Sequence, residues 1–281
     1  MMKCWYSVSA AVLLMGCLPL QTNAQPAGAT KAASAAPVRA AAVSPTPKPT
    51  FVLLHGAWAG AWQWKTVGQL LQADGYTVYR PTLTGQGERV HLANPDVDLN
   101  THITDVVNVI RFEDLHDVIL MGHSYGGMVI TGVADRVPDR IKALIYVDAF
   151  LPDDGESASS AIGGTGAAAR STTAPFFNPG GWPYPADRLP PYDVPQPAKT
   201  FSQPISLKNP AAKSIPAVYI LLVDPGKRPE QDAFFKFYQR AKDRGWTTWT
   251  MESDHVVSMS HPTEIVKLLE RAPAAAKAAT H

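Results

Sequence analysis

Thiols, net charge and metal-ligand clusters are what this 281-residue chain has least of. Its two cysteines, Cys4 and Cys17, both precede residue 25. A mature chain starting there would hold no thiol, which excludes disulfides, cysteine nucleophiles and thiolate metal sites. The formal net charge is +1, from 25 basic and 24 acidic residues. That balance excludes the basic footprint of a nucleic-acid surface or a polybasic membrane patch. No His-Glu-x-x-His, phosphate-binding glycine loop or dinucleotide fingerprint occurs, so neither a metal nor an organic cofactor is expected. The apolar run from about Val8 to Leu20 is too short and too early for a transmembrane helix, and no stable membrane span is expected.

What the N-terminus does have is Lys3, that apolar run, and a small-residue ending at Thr22-Asn23-Ala24. Residues 1–24 therefore read as a secretory signal peptide, which implies a periplasmic or secreted protein. An uncleaved anchor and lipoprotein processing at Cys17, after Leu14-Met15-Gly16, are the alternatives, and Met15 fits the latter poorly. Residues 25–49 are Ala, Pro, Ser and Thr with a few basic residues, a linker that cannot bury enough apolar surface to order itself. Residues 272–281 read as a flexible tail.

Between these ends, short apolar runs alternate with segments of helical period. Strands are expected at 51–54, 76–79, 118–121, 141–147, 218–223 and 246–251. Helices are expected at 62–73, 101–113, 126–136, 230–244 and 262–271. Such alternation implies right-handed crossovers and a mainly parallel sheet with helices on both faces. Residues 151–216 break the rhythm: they are rich in Pro, Gly and Ser, with Phe176, Phe177, Trp182, Tyr184 and Tyr192 among them. A structureless stretch of that length is unusual inside a domain, and a cap over a substrate site is the usual exception. The α/β core then comprises residues 50–150 and 217–271, with the cap inserted after the strand ending near Asp148.

Chemistry concentrates in Gly122-His123-Ser124-Tyr125-Gly126-Gly127, which follows an apolar strand and opens a helix with no loop between. That is the context of a nucleophile elbow, a sharp turn that lifts a serine above the carboxyl end of the sheet. Side chains two positions either side of the serine would collide, which gives Gly122 and Gly126 a steric role. A serine hydroxyl needs a base. His255, past the last strand and before the final helix, occupies the base's place in the serine–acid–histidine chain order of an elbow. His123 reads as packing, His261 as capping or surface, and His91, His102 and His116 as surface or structural.

The acid that orients His255 is either Asp224, ending the strand at 218–223, or Asp148, ending the preceding one. Asp224 is favoured by chain order, whereas Asp254, adjacent to the histidine, is badly placed to bond its ring. Oxyanion donors are expected in the Tyr125 amide and, beyond Gly56, the Ala57 amide. Trp58, Phe176, Phe177 and Trp182 are candidates for an apolar pocket suited to aryl or medium acyl groups; the cap aromatics could equally form its own small core.

HGAWAGAWQW at 55–64, PTLTGQGER at 81–89, GHSYGG at 122–127, YVDAFLPDDGES at 146–157 and SDH at 253–255 together resemble the α/β-hydrolase superfamily. The similarity is to the branch of plant methyl esterases, hydroxynitrile lyases and bacterial carboxylesterases. It spans roughly residues 50–271 and implies an α/β-hydrolase fold, the Ser124–His255 pair and the Ala57 and Tyr125 donors. Asp224 departs from the branch's pattern, being followed by Pro-Gly, which keeps Asp148 open. Lyases of this branch carry a threonine beside the first loop's histidine and a lysine after the catalytic one; this chain has Gly56 and Val256. The expected function is therefore an exported serine carboxylesterase acting on small apolar or aryl esters through an acyl-enzyme. A lyase-like reaction on the same residues and a ligand-binding protein with negligible turnover are the alternatives. The partner expected is a small-molecule ester; oligomeric state is not legible.

Overall fold

The computed structural model describes residues 48–162, 175–177 and 189–277. The expected signal peptide, linker and Trp182 lie outside the described residues. Six strands form the main sheet: β1 (Thr50–Leu54), β2 (Thr77–Tyr79), β3 (Val118–His123), β4 (Ile141–Val147), β7 (Ala217–Val223) and β8 (Thr247–Glu252). Two short strands, β5 (Phe176–Phe177) and β6 (Gln196–Pro197), pair antiparallel within the inserted segment. The main sheet runs β2-β1-β3-β4-β7-β8, and every neighbouring pair is parallel.

Every residue of β3 and β7 is buried, because crossover helices cover both faces and leave no side for water. The helices are α1 (Lys65–Ala73), α2 (Leu99–Phe112), α3 (Gly126–Arg136), α4 (Ala158–Ala161), α5 (Lys199–Ser202), α6 (Phe235–Asp243), α7 (Val257–Ser260) and α8 (Pro262–Ala275). The two-residue period of β1 sends Phe51 and Leu53 to one core with Val67 and Leu71 of α1 and Ile265 and Leu269 of α8. Val52 and Leu54 face the opposite core with Ile103 and Val106 of α2, Met128 and Val133 of α3, and Phe237 of α6. Asp98 caps α2 by accepting the Thr101 amide at 2.8 Å, and Thr101 Oγ1 returns the bond as a capping box.

The last helix outruns its expected end at 271, continuing to Ala275 with Pro273 in its final turns. Beyond it, Lys277 pairs with Ala217 at the start of β7, so residues 272–277 belong to the folded unit. Chain order reverses direction between β1 and β3, the switch point at which ligands bind beyond the strand ends of an open α/β sheet.

Candidate active site

Three adjacent strands each deliver a left-handed, non-glycine residue to this end of the sheet. Trp58 follows β1 with φ 63°, Ser124 follows β3 with φ 52°, and Asp148 follows β4 with φ 44°. Such backbone costs on the order of 1–3 kcal/mol per residue and persists only where surroundings enforce it. Around Ser124 the enforcement is explicit. Its amide donates to the Val147 carbonyl at 3.3 Å, and its carbonyl accepts from Phe150 at 3.0 Å and Gly127 at 3.1 Å. A Cβ on Gly122 would come within 2.7 Å of the Gly126 carbonyl oxygen, and one on Gly126 within 2.8 Å of the His55 carbonyl oxygen. Both glycines thus leave room for the turn.

Ser124 and His255 line one cleft with Gly56, Ala57, Trp58 and Val256. His255 Nδ1 donates to Asp148 Oδ2 at 2.6 Å. Asp148 is fixed in turn, its Oδ1 accepting the Leu222 amide at 3.3 Å. With Nδ1 carrying the proton, Nε2 of His255 is left as the basic nitrogen. The His255 ring stacks on Phe234, centroids 5.1 Å apart at 11°. Its backbone carbonyl accepts from His123 Nε2 at 2.8 Å.

The preference for Asp224 as the orienting acid is corrected by this geometry. The turn through Pro225-Gly226 carries Asp224 to solvent, where its side chain is 43% exposed and pairs with Lys227 at 2.6 Å. The Asp148 side chain is 2% exposed and spends its oxygens on His255 and Leu222. Asp254 accepts instead from the Val256 amide and the Ser260 hydroxyl, at 2.9 Å each. His261 is the N-cap residue of α8, without a side-chain capping bond; its Nδ1 lies 3.0 Å from Ser253 Oγ.

Among the described residues the Ala57 and Tyr125 amides donate to no other group. The Tyr125 phenol is engaged elsewhere, buried beside His102 at 3.0 Å and stacked on Phe201. Gln63 Oε1 accepts the Gly56 amide at 3.2 Å, and Gln196 Oε1 accepts the Trp58 amide at 2.9 Å. These two glutamines, with His55, Phe234 and Asp193, were not identified from the sequence. Gln63 lies inside the HGAWAGAWQW motif and was open to discovery there; Gln196 and Asp193 sit in the irregular segment, where no pattern marks them. Trp58 lines the cleft, whereas Phe176 sits in β5 and is not among the cleft's lining residues. The Phe177 side chain lies outside the described ones.

Three buried histidines frame the site and are held neutral. His55 Nε2 accepts the Leu83 amide at 3.2 Å while Nδ1 donates to the Gly56 carbonyl at 2.7 Å. His102 Nε2 donates to the Thr84 carbonyl at 2.9 Å, leaving Nδ1 to accept from the Tyr125 hydroxyl. Burial lowers both from 6.5 to about 4, and burial with the neighbouring His255 lowers His123 well below its ordinary range. The unfolded chain then binds protons that the folded one refuses, so stability is lost as pH falls from about 6.5 toward about 4. Each histidine contributes up to about 1.4 kcal/mol per pH unit in that window. Asp193, raised from 3.8 to about 6 by burial, acts in the opposite sense and offsets one of the three. Thermal melts between pH 7.5 and 4.5 are expected to show a steady fall in Tm beginning near pH 6.5; a flat profile would contradict the neutral assignments.

This fold, with a serine on an elbow and a histidine–aspartate pair at the same cleft, defines a serine hydrolase of the α/β type. The chain belongs to the alpha/beta hydrolase family, which it matches over residues 51–268. It is 36% identical over 244 residues to a carbendazim hydrolyzing esterase of Nocardioides sp. (strain SG-4G), covering 78% of this chain and 97% of that one. Methylesterase 2 of Arabidopsis thaliana is 33% identical over 123 residues, 40% of this chain and 43% of that protein, so less than half of it is spanned. Among solved structures, an extracellular alpha/beta-hydrolase from a Paenibacillus species superposes with a TM-score of 0.64 at 28% identity, over 80% of this chain and 99% of that one. The chain is accordingly an enzyme of the carboxylic ester hydrolase class.

Proposed function

We propose that the protein is an exported serine carboxylesterase working through an acyl-enzyme, with Ser124 as nucleophile, His255 as base and Asp148 as the orienting acid. The observation that carries this reading is the bond from His255 Nδ1 to the buried Asp148, at the cleft that Ser124 also lines. Ser124 Oγ attacks the ester carbonyl as His255 Nε2 takes its proton. The oxyanion is received by the Ala57 and Tyr125 amides, where one such donor is worth roughly 10²–10³ in kcat. Collapse expels the alcohol, which takes the proton from Nε2; water then repeats the cycle and frees the acid. Asp148 holds the imidazole in place and stabilises the imidazolium that forms.

The lining of Trp58, Trp62, Ala57, Ala59 and Val256 supports small apolar or aryl esters as substrates. The named esterase relatives support the same class. Export rests on Lys3, the apolar run and the Thr22-Asn23-Ala24 ending. Gly56 and Val256 stand where a lyase of this branch needs a threonine and a lysine, so a cyanide leaving group has no cation to stabilise it. A panel of p-nitrophenyl esters graded by acyl length and aromaticity, assayed beside a cyanohydrin, tests the reading. Ester turnover without cyanide release is expected. Cyanide release with no turnover of any ester would overturn it.

A further inference from the structure

Among the described residues, Asp193 is an acidic side chain without a partner in a place where acids are paired. It is 8% exposed and lines the same cleft as Ser124 and His255. Among the described residues no hydrogen-bond donor or cation approaches its carboxyl. Desolvation alone raises it, to about 6. Buried carboxylates are ordinarily hydrogen-bonded or ion-paired, since an uncompensated charge in low dielectric is costly. The other half-buried or buried acids near the site obey that rule: Asp148 holds His255 and Leu222, and Glu156 holds Arg240. The loop around Asp193 is itself anchored, with the Val194 amide donating to the Trp58 carbonyl at 2.9 Å. The carboxyl is therefore held at the cleft and not loosely exposed.

The rest of the lining sharpens what could complement it. Among the described residues it contains no lysine or arginine; its other ionisable groups are His123, held neutral, and His255. Trp58 and Trp62 line the same cleft as Asp193, and aromatic rings with a carboxylate are the surroundings in which a desolvated organic cation is most stable.

We infer that Asp193 is a specificity-determining residue that receives a cationic nitrogen carried by the substrate, so that the enzyme prefers esters bearing an ammonium group near the scissile carbonyl. This inference rests on the esterase reading for its kinetic form, and its binding form stands apart from it. The proposal concerns charge, so the discriminating pair must differ in charge alone.

Benzoylcholine and 3,3-dimethylbutyl benzoate are such a pair, a trimethylammonium against a tert-butyl group on the same acyl part. The ratio of their kcat/KM values is expected to fall about tenfold or more on Asp193→Asn, which keeps the shape and removes the charge. Asp193→Leu should give the same fall, and both variants should melt no lower than the parent, because each removes an uncompensated buried charge. Calorimetric titration with benzyltrimethylammonium provides the second arm: its Kd should weaken about tenfold in Asp193→Asn. Failure of both esters to turn over would count against the esterase reading and leave the titration to decide the cation site. An unchanged ratio, or with no turnover an unchanged Kd, would overturn the proposal.

Discussion

Asp148→Asn is expected to lower kcat/KM for a good ester by about 10⁴-fold, the loss a serine protease suffers from the same change in its triad. The reason lies in how the asparagine must sit. Its carbonyl oxygen inherits the Leu222 amide that Oδ1 of Asp148 accepts at 3.3 Å. Its NH₂ group then faces Nδ1 of His255, where the carboxylate accepts at 2.6 Å. A donor there forces Nδ1 to accept and moves the ring proton to Nε2, the nitrogen that must take the proton of Ser124. The imidazolium also loses its counter-charge. Together these amount to about 5.4 kcal/mol of transition-state stabilisation. Asp224→Asn, by contrast, removes an exposed ion pair with Lys227 and should leave kcat/KM near that of the parent. Steady-state kinetics of the two variants, with circular dichroism to confirm folding, separates the aspartates. Near-normal activity in Asp148→Asn would transfer the acid's role elsewhere.

Gly127→Ala is expected to carry the largest stability cost of any single methyl added to this protein's site. A Cβ on Gly127 would fall on the backbone carbonyl oxygen of Phe150 and crowd the Ala149 side chain. Neither neighbour can give way cheaply. Phe150 donates its amide to the Ser124 carbonyl, and the Ala149 amide donates to Tyr219 Oη at 3.0 Å. Relief therefore requires moving α3 away from the segment after β4, which separates the elements carrying Ser124 and Asp148. Overpacking of well-fitted interiors costs roughly 1–3 kcal/mol, and more where backbone must shift. A loss of about 3 kcal/mol or more, corresponding to a fall in Tm of roughly 6–12 °C, is the expected result. Activity should fall at temperatures where the variant remains folded, because the elbow itself is displaced. A melting curve superimposable on the parent's would contradict the tight packing described for this corner.

Much of this architecture was open to reading from residues alone, for a physical reason. Parallel strands buried on both faces are nearly continuous apolar runs, and VILMG or AVYILLV can scarcely be anything else between helical segments. The elbow was legible because sterics demand glycine on both sides of Ser124, and His255 because it is bracketed by the last strand and the last helix. The ranking of the two aspartates was not legible. β4 and β7 are neighbours, with Val147 opposite Ile220, and each is followed at once by an aspartate. What separates them is a left-handed Asp148 that turns inward and a Pro225-Gly226 turn that carries Asp224 outward to Lys227. The first is invisible in a sequence; the second was present as the Pro-Gly departure from the branch's pattern but does not say where the side chain goes. Asp193 was illegible for a stronger reason: its isolation is defined by what fails to surround it among the described residues, and that depends on how an irregular segment meets the loop after β1.

The most direct test of the central claim is intact-mass analysis of the folded protein after exposure to a fluorophosphonate, followed by peptide mapping. A single stoichiometric adduct on Ser124, abolished in Ser124→Ala and slowed severely in Asp148→Asn, is the predicted result. An unlabelled protein, or an adduct on any other serine, would contradict it.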